Sequence, residues 1–258
     1  SAVWRVKMQT STVQDNSAQN VVRLDSEAID DISVPSLHLI ANTFDLNHAT
    51  HMIYAEGLTA NSLFGAYVRM SANVLTDNAV VAVVRLVNAE LLLEDSQIDA
   101  HELVVSANLA QMVVSNVNTS FSRVLELDKD RNGEDTGSVV SFADCDFAHS
   151  DAAFDMFVHS RDDISFARCD WENATVSAMS GLRSVYASQP QLRVTDSLVH
   201  GFLGRTALDL DTDVEDWLFN VSLAGVTVSD NDNDKNSAPL IALSGGNQNT
   251  QGFGAVSV

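Results

Sequence analysis

One eight-residue pattern recurs along the chain and limits its fold more than any other feature. It reads apolar, any, apolar, any, any, small or polar, any, apolar. The copies are Leu37-Leu39-Asn42-Phe44, Val68-Met70-Asn73-Leu75, Leu91-Leu93-Ser96-Ile98, Val140-Phe142-Cys145-Phe147, Ile164-Phe166-Cys169-Trp171, Leu192-Val194-Ser197-Val199 and Val221-Leu223-Val226-Val228. A weaker copy, Met112-Val114-Val117-Thr119, ends on a polar residue. Successive copies begin 21 to 31 residues apart. Alternate apolar residues describe a strand with one face inward, and the small or polar slot describes a bend, after which the chain turns another residue inward. Asn, Ser and Cys suit such a bend. Asn tolerates left-handed backbone and can hydrogen-bond to its equivalent one coil away, while Ser and Cys are small enough to stack inside.

Each copy is followed by a second apolar stretch, such as Met52-Ile53-Tyr54, Leu103-Val104-Val105 or Leu240 to Leu243, so every repeat carries at least two strands. Several short strands per repeat, no sustained helical period and only three prolines fit the coil of a β-solenoid. A leucine-rich repeat would show the Leu-x-x-Leu-x-Leu frame, and a β-sandwich would not repeat one motif in register. The expected fold is all-β, a right-handed parallel β-helix of about eight coils spanning residues 36–245. Residues 1–35 are expected to form an N-terminal cap or first irregular coil. They hold the Ala2-Trp4-Val6-Met8 alternation and a short helix candidate at Ser26 to Asp31. Residues 246–258 are expected to be a linker or the start of a further coil.

These coils resemble those of the pectin-lyase-like parallel β-helices, a superfamily of adhesins, autotransporter passengers, polymorphic outer membrane proteins, tailspikes and polysaccharide lyases. Phe142-Ala143-Asp144-Cys145 and Phe166-Ala167-Arg168-Cys169 are similar to the Phe-x-x-Asn tetrapeptide of polymorphic outer membrane proteins, with Cys in place of Asn. The companion Gly-Gly-Ala/Ile/Leu motif is absent, since Gly245-Gly246 is followed by Asn247. The resemblance implies an extracellular or cell-surface protein whose partners are proteins or glycans.

Charge narrows the partners. Fourteen Lys and Arg against thirty-five Asp and Glu give a formal charge of −21, which repels nucleic acid and anionic lipid headgroups. The longest apolar run, Ala79 to Val84, is far below the roughly 20 residues of a membrane-spanning helix. The chain begins at Ser1 without a signal-like segment and is expected to be a processed chain or a fragment. Sequons at Asn118, Asn173 and Asn220 would permit glycosylation on a secretory route, making the chain a glycoprotein.

Cys145 and Cys169 occupy one slot in copies 24 residues apart, so stacking brings them to about 4.8 Å. That spacing admits a disulfide, whose torsions would be poor, or two stacked thiols acting as small hydrophobes. Both remain open at this point.

Asp128-Lys129-Asp130-Arg131-Asn132-Gly133-Glu134-Asp135 matches the first half of a calcium-binding loop, with alternate oxygen donors and a Gly at the turn. Asp128, Asp130, Asn132 and Asp135 are the candidate Ca²⁺ ligands. The twelfth position is Val139, not the bidentate Glu of an EF-hand, so any shell must close differently. The runs Asp209-Asp211-Asp213 and Asp230-Asp232-Asp234 lack the turn Gly and suit solvated loops. An enzyme on this scaffold would need converging carboxylates, or a basic residue beside them. Asp144, Asp146, Asp162, Asp163 and Asp170, with Arg161, Arg168 and Arg193, supply those types, and Asp146 and Asp170 share a slot in successive copies. His38, His48, His51, His101, His149 and His159 are scattered, and His200-Gly201 lacks the preceding Gly of a polygalacturonase motif. The expected function is a non-catalytic extracellular module, a stalk, adhesive surface or filament subunit stabilised by calcium. The alternative is a polysaccharide lyase or glycoside hydrolase.

Overall fold

The computed structural model describes residues 5–26, 35–57, 65–99, 103–108, 110–120, 123–127, 138–148, 154–158, 163–172, 179–184, 191–201, 208–212, 219–229, 241–245 and 253–257. Among these residues there is no helix, and every strand pairing is parallel.

The repeat pattern sorts its residues into three sheets. The first and longest stacks ten strands in sequence order: Arg5–Gln9, Ser36–Ile40, Ala66–Ser71, Ala89–Glu94, Ala110–Ser115, Val139–Ala143, Asp163–Ala167, Gln191–Thr195, Phe219–Ala224 and Phe253–Ser257. These strands hold the first two apolar slots. The second sheet stacks nine three-residue strands, from Thr12–Gln14 through Thr43–Asp45, Val74–Thr76, Gln97–Asp99, Asn118–Ser120, Asp146–Ala148, Asp170–Glu172 and Leu198–His200 to Thr227–Ser229. Each is centred on the third apolar slot. The third sheet, also nine strands, runs from Ser17–Ser26 and His48–Gly57 to Ile241–Gly245 and carries the second apolar stretch of each repeat. The molecule is a parallel β-helix, a solenoid in which each coil contacts its neighbours.

Among the described residues the stack holds nine three-stranded coils and a tenth strand, against the eight or so expected over residues 36–245. The first coil is residues 5–26, within the segment expected to be a cap or first irregular coil; Val6, Met8, Ser11 and Val13 fill the four slots, and Arg5–Gln9 pairs in register with Ser36–Ile40. Ser26 of the short helix candidate closes the strand Ser17–Ser26, while residues 27–31 lie outside the described residues.

The apolar slots form the core. From Leu37 to Leu223 every slot residue is buried, including the polar Thr119; Val226 and Val228, in the last copy, are partly exposed. Each fully buried Leu, Val or Phe contributes roughly 1.5–3 kcal/mol of transfer free energy, set against the entropy of ordering it. Aromatic residues concentrate in the sixth and seventh coils. Phe142 stacks on Phe166 at 5.0 Å with an interplanar angle of 8°, and Trp171 lies 5.4 Å from Phe166 and 5.5 Å from Phe147.

The bend between the first and second sheets differs from expectation in one respect. The left-handed residue is the one before the small or polar slot: Thr10, Ala41, Ala72, Asp95, Asn116, Asp144, Arg168, Asp196 and Gly225 all have positive φ. Each of the first eight donates its amide to a carbonyl of the next coil, such as Ala41 N–H to Ser71 O at 2.9 Å, so the ladder continues through the bend. The slot residue itself turns inward and hydrogen-bonds along the stack. Asn42 Nδ2 donates to Asn73 Oδ1 at 3.2 Å, and Asn73 N–H donates to Ser96 Oγ at 3.1 Å. A second ladder, Asn16, Asn47 and Asn78, lines the corner after the second sheet, with Asn47 Nδ2 donating to Asn78 Oδ1 at 2.8 Å.

Candidate functional site

In the second sheet the central residue of each strand points inward, so its flanking residues face solvent. The consequence in coils six to eight is a compact group of titratable side chains. Asp146 is in register with Asp170, and Glu172 with His200. Beneath them lie the buried Phe147, Trp171 and Val199, which fix the strands that carry the group. Nε2 of His200 lies 3.1 Å from Oδ1 of Asp170, an oxygen shielded from solvent whose contact falls outside hydrogen-bond geometry. Burial, then the charges of Asp170 and Glu172, push the Asp146 carboxyl above its ordinary value, and His200 pulls in the opposite direction. Two adjacent carboxylates of which one resists ionisation, with an imidazole beside them, can exchange a proton with a bound molecule.

The other expected carboxylates do not join this group. Arg168 grips Asp144 through two hydrogen bonds, Nε to Oδ1 at 2.6 Å and Nη2 to Oδ2 at 2.8 Å, at the left-handed bend. That hydrogen bonding holds the Asp144 carboxyl below the usual carboxylate range. Arg193 pairs with Asp163 at 2.5 Å on the first sheet. Both arginines are therefore engaged on other faces, away from Asp146 and Asp170. The reason is the bend: Asp144 and Asp146 are two residues apart in sequence but lie on either side of the inward Cys145. Asp162 and Arg161 lie outside the described residues. His200 is the member that sequence spacing did not single out, although it stands one residue after the third apolar slot, the same place as Glu172.

The candidate calcium ligands Asp128, Asp130, Asn132 and Asp135 lie outside the described residues, as do Asp213 and Asp230 to Asp234. No group of three or more His, Cys, Asp or Glu suited to a metal ion occurs among the described residues. Cys145 and Cys169 are buried free thiols in adjacent coils. Their mutual hydrogen bond and burial push the Cys169 thiol above its ordinary value. Of the sequons, Asn118 is exposed on the second sheet, while its neighbour Thr119 points inward.

Fold and surface together define a parallel β-helix with a column of carboxylates and one imidazole on its second sheet. No family model, curated protein or solved structure matches the chain.

Proposed function

We propose that the chain is a non-catalytic extracellular module, a stiff stalk or adhesive surface that binds protein or glycan partners outside the cell. The observation that carries this reading is the stacking of the coils in sequence order. Two inward ladders of hydrogen-bonded side chains and three sheets in sequence order support a rigid rod with long flat faces. The acidic surface supports the same reading, because a charge of −21 keeps such flat sheets soluble. No described helix is long and apolar enough to cross a membrane. Calcium held by Asp128, Asp130, Asn132 and Asp135 would add stability between the strands Arg123–Leu127 and Val139–Ala143; melting with and without chelator should then differ by several degrees, and identical curves would remove the ion.

The second reading, a polysaccharide lyase or glycoside hydrolase, is favoured by the contact of His200 with Asp170 beside Asp146. Incubation with a panel of neutral and anionic polysaccharides separates the two. The structural reading expects no unsaturated or reducing ends. Turnover that disappears in Asp146→Ala and Asp170→Ala would overturn it.

A further inference from the structure

The negative charge of this chain is unevenly placed around the solenoid. The outward positions of the second sheet hold five carboxylates, Asp45, Asp99, Asp146, Asp170 and Glu172, and no Lys or Arg. The middle of the first sheet is different. Its fifth and sixth strands, Ala110–Ser115 and Val139–Ala143, turn outward Gln111, Val113, Ser115, Val139, Ser141 and Ala143, none of them charged. Val113 and Val139 are 44% and 47% exposed, and Leu92 stands in register beside Val113 on the preceding strand. Two of the three carboxylates that flank this patch on the sheet are already paired: Glu94 is held by Arg69 at 2.5 Å on one side, and Asp163 by Arg193 at 2.5 Å on the other. A second chain of charge −21 therefore meets less repulsion here than over the second sheet.

We infer that this face is a homodimer interface: two copies pack first sheet to first sheet about a two-fold axis that runs along the strand Val139–Ala143, with their solenoid axes antiparallel. Val139, Ser141 and Ala143 then meet their own counterparts, as an isologous contact requires. Register fixes the rest. Strands equally far from the sixth in opposite directions face one another, which sets Val113 on Ser165 of the second copy, Gln111 on its Asp163, Leu92 on its Arg193, Glu94 on its Thr195 and Arg69 on its Ser222. No two like charges meet in these rows. A two-fold axis along the solenoid instead would set each strand on its own counterpart and press Arg69 on Arg69 and Arg193 on Arg193, a juxtaposition that disfavours it. The area is also adequate. The second to tenth strands, Ser36–Ile40 to Phe253–Ser257, flank the chosen axis evenly. At about 4.8 Å between strands and about 3.3 Å per residue along them, they cover roughly 700 Å² per copy, against about 800 Å² per partner in a standard interface. A paired rod suits either reading of the function, so the inference goes beyond both, and polysaccharide turnover decides between those readings without touching it.

Sedimentation velocity of the wild-type chain from roughly 1 to 200 µM, at about 0.01, 0.15 and 1 M salt, tests this. The expected result is a monomer–dimer equilibrium that tightens as salt screens the repulsion between the two acidic chains. Val113→Asp/Val139→Asp would bury carboxylates in the contact and should weaken dimerisation at least about tenfold. Val81→Asp, on the third sheet at 53% exposure, should leave it unchanged. Ser141 lies on the axis, so folded Ser141→Cys should be joined into a covalent dimer by a short bis-maleimide, whereas Val81→Cys should not, the native Cys145 and Cys169 being buried. Wild type that stays monomeric throughout overturns the inference. So does growth beyond the dimer, association that weakens as salt rises, equal behaviour of the two Asp variants, or a folded Ser141→Cys that yields no covalent dimer.

Discussion

Asn42 and Asn73 are one residue repeated in successive coils, and the second caps the first: Asn73 Oδ1 accepts both the backbone N–H of Asn42 at 3.0 Å and its Nδ2 at 3.2 Å. Asn73 Nδ2 in turn donates to Leu39 O at 3.0 Å. Asn73→Leu removes all three bonds and leaves buried donors and an acceptor unmet, at a cost of about 3 kcal/mol. Asn73→Ser should cost less than half of that, because Ser96 already fills the slot one coil on and accepts through Oγ. Denaturant unfolding of the three proteins gives the order; equal losses for Leu and Ser would show that the ladder contributes shape alone.

Thr119 occupies an apolar slot, 3% exposed, and its Oγ1 makes no hydrogen bond among the described residues. Thr119→Val keeps the shape and removes the unmet hydroxyl. It should stabilise the chain by roughly 1–2 kcal/mol, read as a higher denaturant midpoint at unchanged slope.

Asp146 titrates above its ordinary value through burial and the carboxylates of Asp170 and Glu172. The folded chain thus holds this proton more tightly than the unfolded chain, and stability falls as pH rises through the folded value. Asp146→Asn removes the penalty. The variant should be more stable than wild type at pH 7 by a few tenths of a kcal/mol, because the site is exposed and screened, and the gap should close below about pH 4. A gap independent of pH would assign the effect to packing.

His38 titrates below its ordinary value because of burial first, then the charges of Arg5, Arg69 and Lys7. The unfolded chain takes up this proton first, so His38 subtracts stability as pH falls below about 6.5. In Arg5→Gln/Lys7→Gln an NMR titration of the imidazole should move upward yet remain below the ordinary value, since the burial and Arg69 persist. An unmoved titration would mean that the two cations do not act on the ring.

Cys145 and Cys169 should react slowly with a thiol reagent in the native chain and fully once it is denatured, since both are nearly inaccessible. Cys169→Ser should cost less than about 1.5 kcal/mol. Ser197 fills the same slot one coil on, where its Oγ accepts the Cys169 N–H at 3.1 Å and donates to Thr195 O at 2.7 Å. Rapid modification of the native protein would show that this bend opens.

Most of the inward half of the molecule was legible from periodicity. Leu37, Leu39 and Phe44 declare themselves apolar at fixed offsets, and the same offsets hold coil after coil. Two inward features are less legible. Residues 1–35 read equally as a cap or a first irregular coil although Val6, Met8, Ser11 and Val13 satisfy the pattern, because they precede the region where the repeat is richest in large apolar residues. The second ladder, Asn16, Asn47 and Asn78, spans three coils among the described residues, a run too short to stand out as a repeat. The left-handed position was assigned one residue late because Asn, a common left-handed residue, stands in the slot after it, while Ala41, Ala72 and Arg168 carry the positive φ.

By itself the sequence determined the solenoid, its strand-bearing segments and the adjacency of Cys145 and Cys169, since an inward residue must match a narrow space at each turn. Only the tertiary structure decided the surface. Coil lengths vary, so the partner of an outward residue cannot be counted out: Arg168 meets Asp144 from 24 residues away, Arg69 meets Glu94 from 25, and Arg193 meets Asp163 from 30. Outward side chains carry no packing constraint that would mark them in one dimension. Whether a charge is neutralised, stacked on its like, or set beside an imidazole follows from register alone.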